Sequence, residues 1–164
     1  MHTLKERETG VMFWMGRDSV GEIKSLGVQC GQLGAHGDAD LSLAGAKDWM
    51  AALAREQFTL VTIFAAYDGE SYADIPTVER TVGFIPRGSR DARERRTLAV
   101  SDFAAALGVN SIACHIGCVP ENPAHPDYIA VRDLVRRVCD HAAGHGQTFA
   151  LETGQEPAGV LLAF

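Results

Sequence analysis

The sequence predicts an α/β fold on a parallel sheet, built from successive strand–helix units. Strand-like and helix-like segments alternate five times along 164 residues. A helix between successive strands returns the chain to the same end of the sheet, so the strands run parallel. Tight turns out of helices carry Gly27, Gly108 and Gly144, as helix C-caps do. The turns out of strands are long, at 34–42, 68–90 and 117–126, and they gather at the C-terminal edge of the sheet.

The elements follow in order. Residues 11–15 form a short apolar run, the first strand, and 19–26 a short helix. Residues 28–33 read as a weaker strand. In 43–55, Ala46, Trp49, Met50 and Leu53 recur at helical spacing, with Asp40 or Ser42 as the cap. Residues 59–67 are the clearest strand, rich in β-branched and aromatic side chains. The helix over 91–107 places Ala99, Phe103, Ala106 and Leu107 on one face. A strand at 111–116 is followed by a helix at 127–143 that turns Val131, Leu134, Val135, Val138 and Ala142 inward. The fifth strand is 147–151, and 157–164 starts another helix. Two architectures fit. One is a complete five-stranded doubly wound sheet. The other is the first five units of an eight-unit barrel, which needs about 250 residues. Both place an active site at the C-terminal edge.

Composition narrows the function classes. An apolar fraction of 46% and a charged fraction of 22% suit one globular domain. A net charge of -6 argues against binding along a nucleic-acid backbone, which needs a surplus of Lys and Arg. No apolar run reaches a membrane span, and the charged start MHTLKERE is no signal peptide. A cytoplasmic location is the expectation. Cys30, Cys114, Cys118 and Cys139 form no disulfide framework, and at least two belong in the core.

Glu152 leads the candidate site residues, at the end of the fifth strand. Alternation puts Ala150 and Glu152 on one face, Phe149 and Leu151 on the other. A carboxylate beside a small residue suits a barrel mouth, where a divalent metal offsets the cost of burying its charge. The alternative is a cap on the next helix near Gln155. His115 ends the fourth strand and alternates with Ile112, Cys114 and Ile116. It is a metal ligand, a substrate donor or a hydrogen-bonded core histidine. His36 and Tyr67 lie at the same edge, where either lines a pocket, and Asp68 and Glu70 fall nearby. Cys114 and Cys118 bracket His115, but residues four apart on a strand lie about 13 Å apart, and no second ligand pair follows. Cys114 therefore reads as packing. Arg87, Arg90, Arg93, Arg95 and Arg96 cluster where a long loop enters its helix. An anion site is one reading; a solvated face paired with Asp91 and Glu94 is the other, and the favoured one. His125, His141 and His145 read as structural. The chain has no G-x-G-x-x-G, P-loop or G-x-S-x-G motif.

The runs FAAYDGESYADIPTVERTVGFIP, SIACHIG and DYIAVRDLVRRVCDHAAGHGQTFALETGQEPA resemble the sugar phosphate isomerase/epimerase family, whose members share a xylose isomerase-like TIM barrel. The resemblance covers nearly the whole chain from about Gly10, and FALETGQE is its most specific part. It implies a (β/α)8 barrel of which this chain holds the first five strands, truncated after strand five. Residues 1–9 would be a tail and 10–164 a partial barrel. It also implies one divalent metal, manganese, magnesium or cobalt. The family binds it through a glutamate on strand five, an aspartate on strand six, a histidine on strand seven and a glutamate on strand eight. Glu152 matches the first. His115 matches a strand-four histidine that lines the pocket in relatives and ligates metal in the related endonuclease IV enzymes.

The implied activity is isomerisation or epimerisation of a small-molecule sugar or sugar phosphate. Glu152 would be one of two glutamates that exchange the proton next to the carbonyl. Homo-oligomerisation is left open, and neither nucleic acid nor membrane is an expected partner. Lacking three metal ligands and carrying two open sheet edges, the chain by itself is expected to be inactive and to self-associate. The alternatives are an endonuclease IV-like phosphodiesterase, disfavoured by the acidic balance, and a non-catalytic half-barrel that binds a partner.

Overall fold

A computed structural model of the chain describes residues 8–152 and 156–164. Most of the expected tail at 1–9, and Gln155 beside the alternative helix cap, lie outside the described residues. Five strands, β1 (Val11–Trp14), β2 (Cys30–Ala35), β3 (Thr59–Ala65), β4 (Ser111–His115) and β5 (Thr148–Glu152), form one sheet in the order β1-β2-β3-β4-β5. All four pairings are parallel. A doubly wound sheet reverses its strand order at a switch point. No reversal occurs here, so the sheet winds in one direction, as a barrel wall does. β1 and β5 each have one neighbour.

The helices are α1 (Val20–Lys24), α2 (Leu43–Glu56), α3 (Ile75–Thr81), α4 (Arg90–Ala106), α5 (Pro126–Gly144) and α6 (Ala158–Ala163). Ser42 caps α2 by accepting the Gly45 N–H, and Asp40 in turn accepts the Ser42 N–H. Both expected cap residues therefore take part. All five apolar residues expected inward on α5 are buried. On α4 the buried apolar positions are Val100, Phe103 and Ala104, while Ala99, Ala106 and Leu107 are half-buried. The sequence reading had no helix at α3. Asp74 caps it and Pro76 sits in its first turn, inside what reads as one long loop. Gly27 and Gly108 take left-handed backbone as expected, but Gly144 is helical and Gly146 makes the turn after α5.

The sheet has two distinct faces. Phe13, Leu33, Ile63, Ile112 and Cys114 point outward and bury against the helices. Paired positions on the inner face are Met12 and Gln32, Trp14 and Gly34, Thr62 and Gln32, Ala113 and Phe64, and on β5 Thr148, Ala150 and Glu152. The three β5 inner positions are exposed, whereas Phe149 and Leu151 on its other face pack against the core.

The β3–α4 connection is fastened to β4. Phe84 N–H donates to the Ile116 carbonyl at 2.9 Å. Gly83 (φ 66°) lies so close that a Cβ there would stand 2.0 Å from the Ile116 carbonyl carbon. Arg93, only 5% exposed, donates to the carbonyls of Thr81, Gly83 and Asp68. The arginine cluster thus divides: Arg87 and Arg95 lie on the solvated face, while Arg93 is buried and Arg90 and Arg96 are half-buried. Arg87 and Arg90 both grip Asp127 of α5, Arg137 of α5 reaches back to Glu94, and Arg96 donates to the His36 carbonyl. The two arginines hold the Asp127 carboxyl well below the usual carboxylate range. Arg95 stands exposed.

Removing the Arg93 side chain leaves three carbonyls without their donor. Arg93→Ala is expected to lower unfolding stability by about 3 kcal/mol or more in urea titrations, against a change within about 0.5 kcal/mol for Arg95→Ala.

Candidate functional site

The C-terminal edge of β4 and β5 carries the main cluster. His115 pairs directly with Glu152 in the parallel register, so both side chains leave the sheet on its inner face. His115 is buried, 6% exposed. Its Nδ1 accepts the Gly117 N–H at 2.9 Å. With Nδ1 used as an acceptor, the proton of the neutral ring sits on Nε2. His115 thus offers a hydrogen-bond donor rather than a lone pair for a metal. The turn that supplies this N–H needs glycine: Gly117 has φ 89°, and a Cβ there would stand 2.6 Å from the Val82 carbonyl oxygen.

Glu152 is exposed, and among the described residues its carboxylate has no hydrogen-bond or ion-pair partner. Tyr72 stands beside the pair, its ring 6.2 Å from that of His115 in an edge-on arrangement. Tyr72 is 58% exposed, and partial desolvation, followed by the negative charges of Glu70 and Glu152, raises its hydroxyl above its ordinary value. It keeps its proton at any working pH. Glu70 is turned toward the backbone, where it accepts the Gly83 N–H at 2.8 Å and the Tyr67 N–H at 3.4 Å. Burial raises its carboxyl, opposed by the Gly83 hydrogen bond and by Arg93.

A second group lies at the same edge on β1 and the β2 end, two to three strand spacings or about 10–15 Å from β4. The Trp14 indole lies across Gly34, where a Cβ would stand 2.3 Å from the ring, and stacks on His36 at 4.4 Å. His36 Nε2 is buried without a hydrogen-bond partner among the described residues. His36, without Trp14, borders a cavity of about 650 Å³ lined also by Met15, Asp38, Asp40, Trp49 and Asp68.

Tyr67 falls elsewhere. Alternation carries it to the outer face with Ile63 and Ala65. Its hydroxyl hydrogen-bonds Thr97 Oγ1 of α4 at 2.6 Å, and the Arg93 guanidinium lies 5.4 Å from its ring centre. Burial pushes the hydroxyl well up. These contacts make Tyr67 a strut between β3 and α4, with its hydroxyl already engaged. Cys114 packs in the core, its thiol pushed up to about 12 by burial, and none of the four cysteines is in a disulfide. Trp14 and Tyr72 are the residues at this edge that sequence reasoning passed over. Trp14 had a signal, since it shares its strand face with Met12; Tyr72 had none, because it sits in the loop before α3.

The inner face suits a divalent cation only in part. Such an ion takes several oxygen or nitrogen donors. A solvent-facing carboxylate with no other partner fits as one ligand. The orientation of the His115 ring and the engaged oxygens of Glu70 leave Glu152 as the one free carboxylate of the β4–β5 cluster among the described residues.

The His115 ring state is directly measurable. Long-range 1H–15N spectra at neutral pH should show the Nε2–H tautomer for His115; an Nδ1–H signal would contradict the arrangement.

No family model matches the chain, and no curated protein matches it. Solved structures do. A xylose isomerase domain protein from Planctomyces limnophilus superposes with a TM-score of 0.88 at 36% identity, over 94% of this chain and 55% of that one. An L-ribulose 3-epimerase gives 0.65 at 15% identity, over 96% and 56%. A xylose isomerase-like TIM barrel protein from Mycobacterium smegmatis, in complex with magnesium, gives 0.56 at 18% identity, over 80% and 44%. The chain spans about half the length of these structures. Its fold is that of the first five strands of a xylose isomerase-like barrel, and the doubly wound alternative is excluded.

Proposed function

We propose that this xylose isomerase-like chain forms the first five units of a sugar isomerase or epimerase that moves a proton next to a sugar carbonyl. The observation that carries the reading is the β4–β5 register, which sets the free carboxylate of Glu152 beside the donor of His115. Solved structures with this fold include an L-ribulose 3-epimerase and a D-psicose 3-epimerase studied with D-fructose, all of them ketose names.

The hydrogen on a carbon next to a carbonyl is weakly acidic, and its removal places negative charge on the carbonyl oxygen. A divalent cation (manganese, magnesium or cobalt), with Glu152 as one ligand and the others outside this chain, supplies stabilisation of that charge when bound. Glu152 has no competing partner among the described residues, so its carboxylate is free to take the proton. His115 presents Nε2–H to a substrate oxygen and orients it. Tyr72 adds a second neutral donor at the same edge. The Trp14–His36 stack gives a flat apolar surface for the C–H face of a sugar. Proton return at the neighbouring carbon interconverts aldose and ketose; return at the same carbon from the opposite side epimerises it.

The test uses a barrel completed by its remaining strands. Wild-type protein loaded with manganese should exchange deuterium from heavy water into a ketose or ketose phosphate beside the carbonyl. Glu152→Gln should slow that exchange by about 10²–10⁴-fold. Exchange left intact in Glu152→Gln would overturn the assignment of Glu152 as the base.

A further inference from the structure

We infer that Asp102, His141 and His145 form a surface site for a divalent transition metal, distinct from the inner-face site. His141 and His145 are four residues apart at the C-terminal end of α5, so they share one helix face. Asp102 projects from α4 between them. Its Oδ1 lies 2.7 Å from His141 Nε2 and 3.0 Å from His145 Nε2. The three ligand atoms all lie within 4.8 Å of one another. A tetrahedral zinc ion with bonds of about 2.0–2.1 Å needs ligand atoms roughly 3.3 Å apart. Small side-chain rotations bring this set to that spacing.

The surroundings favour a cation. The two rings are held edge-to-face at 5.1 Å, which directs both Nε2 atoms at the same carboxylate oxygen. Arg137, one turn earlier on α5, is engaged by Glu94 and does not compete for Asp102. The last turn of α5 presents the negative end of the helix dipole. The side chains of Asp102, His141 and His145 are 59%, 32% and 36% exposed, which leaves a fourth coordination position open to water.

Two imidazoles and one carboxylate select zinc, copper or nickel over magnesium and calcium, which prefer all-oxygen sets. The site is remote from the inner face. His145 precedes β5 and Glu152 ends it, so on the order of 15 Å of strand separates them. A metal here joins α4 to α5 across the outside of the sheet. Binding at Nε2 moves each neutral ring's proton to Nδ1, so the metal takes the place of the two hydrogen bonds to Asp102.

The probe is Zn2+ alone, titrated calorimetrically into tag-free, chelator-stripped protein at pH 7.5. One ion per chain is expected to bind at this site and to raise the melting temperature. His141→Ala and His145→Ala should each weaken binding by tenfold or more, the double variant should abolish it, and Glu152→Gln should leave it unchanged. His145→Gln keeps the size of the side chain and should behave like His145→Ala. Unchanged Zn2+ binding in the double variant would overturn the proposal, as would the absence of binding to wild-type protein at millimolar Zn2+.

Discussion

The parallel pairing of β4 with β5 governs what this chain can do. It sets Glu152 level with His115 on the inner face and sends Phe149 and Leu151 into the helix layer. Side chains alternate with a period of two, so a slip of one residue would carry Glu152 into that apolar layer. The start of β5 is fixed by a buried residue with no apolar character. Gln147 accepts the Ser101 hydroxyl at 2.6 Å and donates to the carbonyls of Ser101 and Val109, both at 3.1 Å. Thr148 N–H then donates to the Asn110 carbonyl. A buried amide with all these partners satisfied tolerates no shift, because displacement would leave polar groups unpaired away from water.

The far end of β4 is fixed by different means. Gly83 and Gly117 bring two backbone segments closer than any side chain would allow, and Arg93 gathers the loop carbonyls behind them. Glu70 caps the Gly83 N–H from the same loop. The result is a rigid turn whose N–H holds His115 in one ring orientation. The chemistry at Nε2 thus depends on the β3–α4 loop, which packs against the Gly117 turn.

Much of this fold was legible because period and turn chemistry are local properties. The inward stripe of α5 and the five strands follow from spacing alone, and alternation on β5 places Glu152 correctly. Sheet order was not legible, since a sequential and a reversing order use the same strand–helix units. Tyr67 sits just past the end of β3, where alternation turns it to the outer face beside α4 and away from Glu152 and His115. The solvated part of the arginine run, Arg87 and Arg95, was legible, but the partners Asp127 and the loop carbonyls were not, because they are distant in sequence. His141 and His145 carried a signal in their spacing of four, but Asp102 joins them only through the packing of α4 on α5.

The central claim is that Glu152 is a metal ligand beside a His115 that stays outside the coordination shell. Crystals of the completed barrel soaked in manganese, read by anomalous scattering, test it most directly. The account predicts a peak in contact with the Glu152 carboxylate, with His115 Nδ1 still bound to the Gly117 N–H. A peak coordinated by His115, or one with no contact to Glu152, would contradict it.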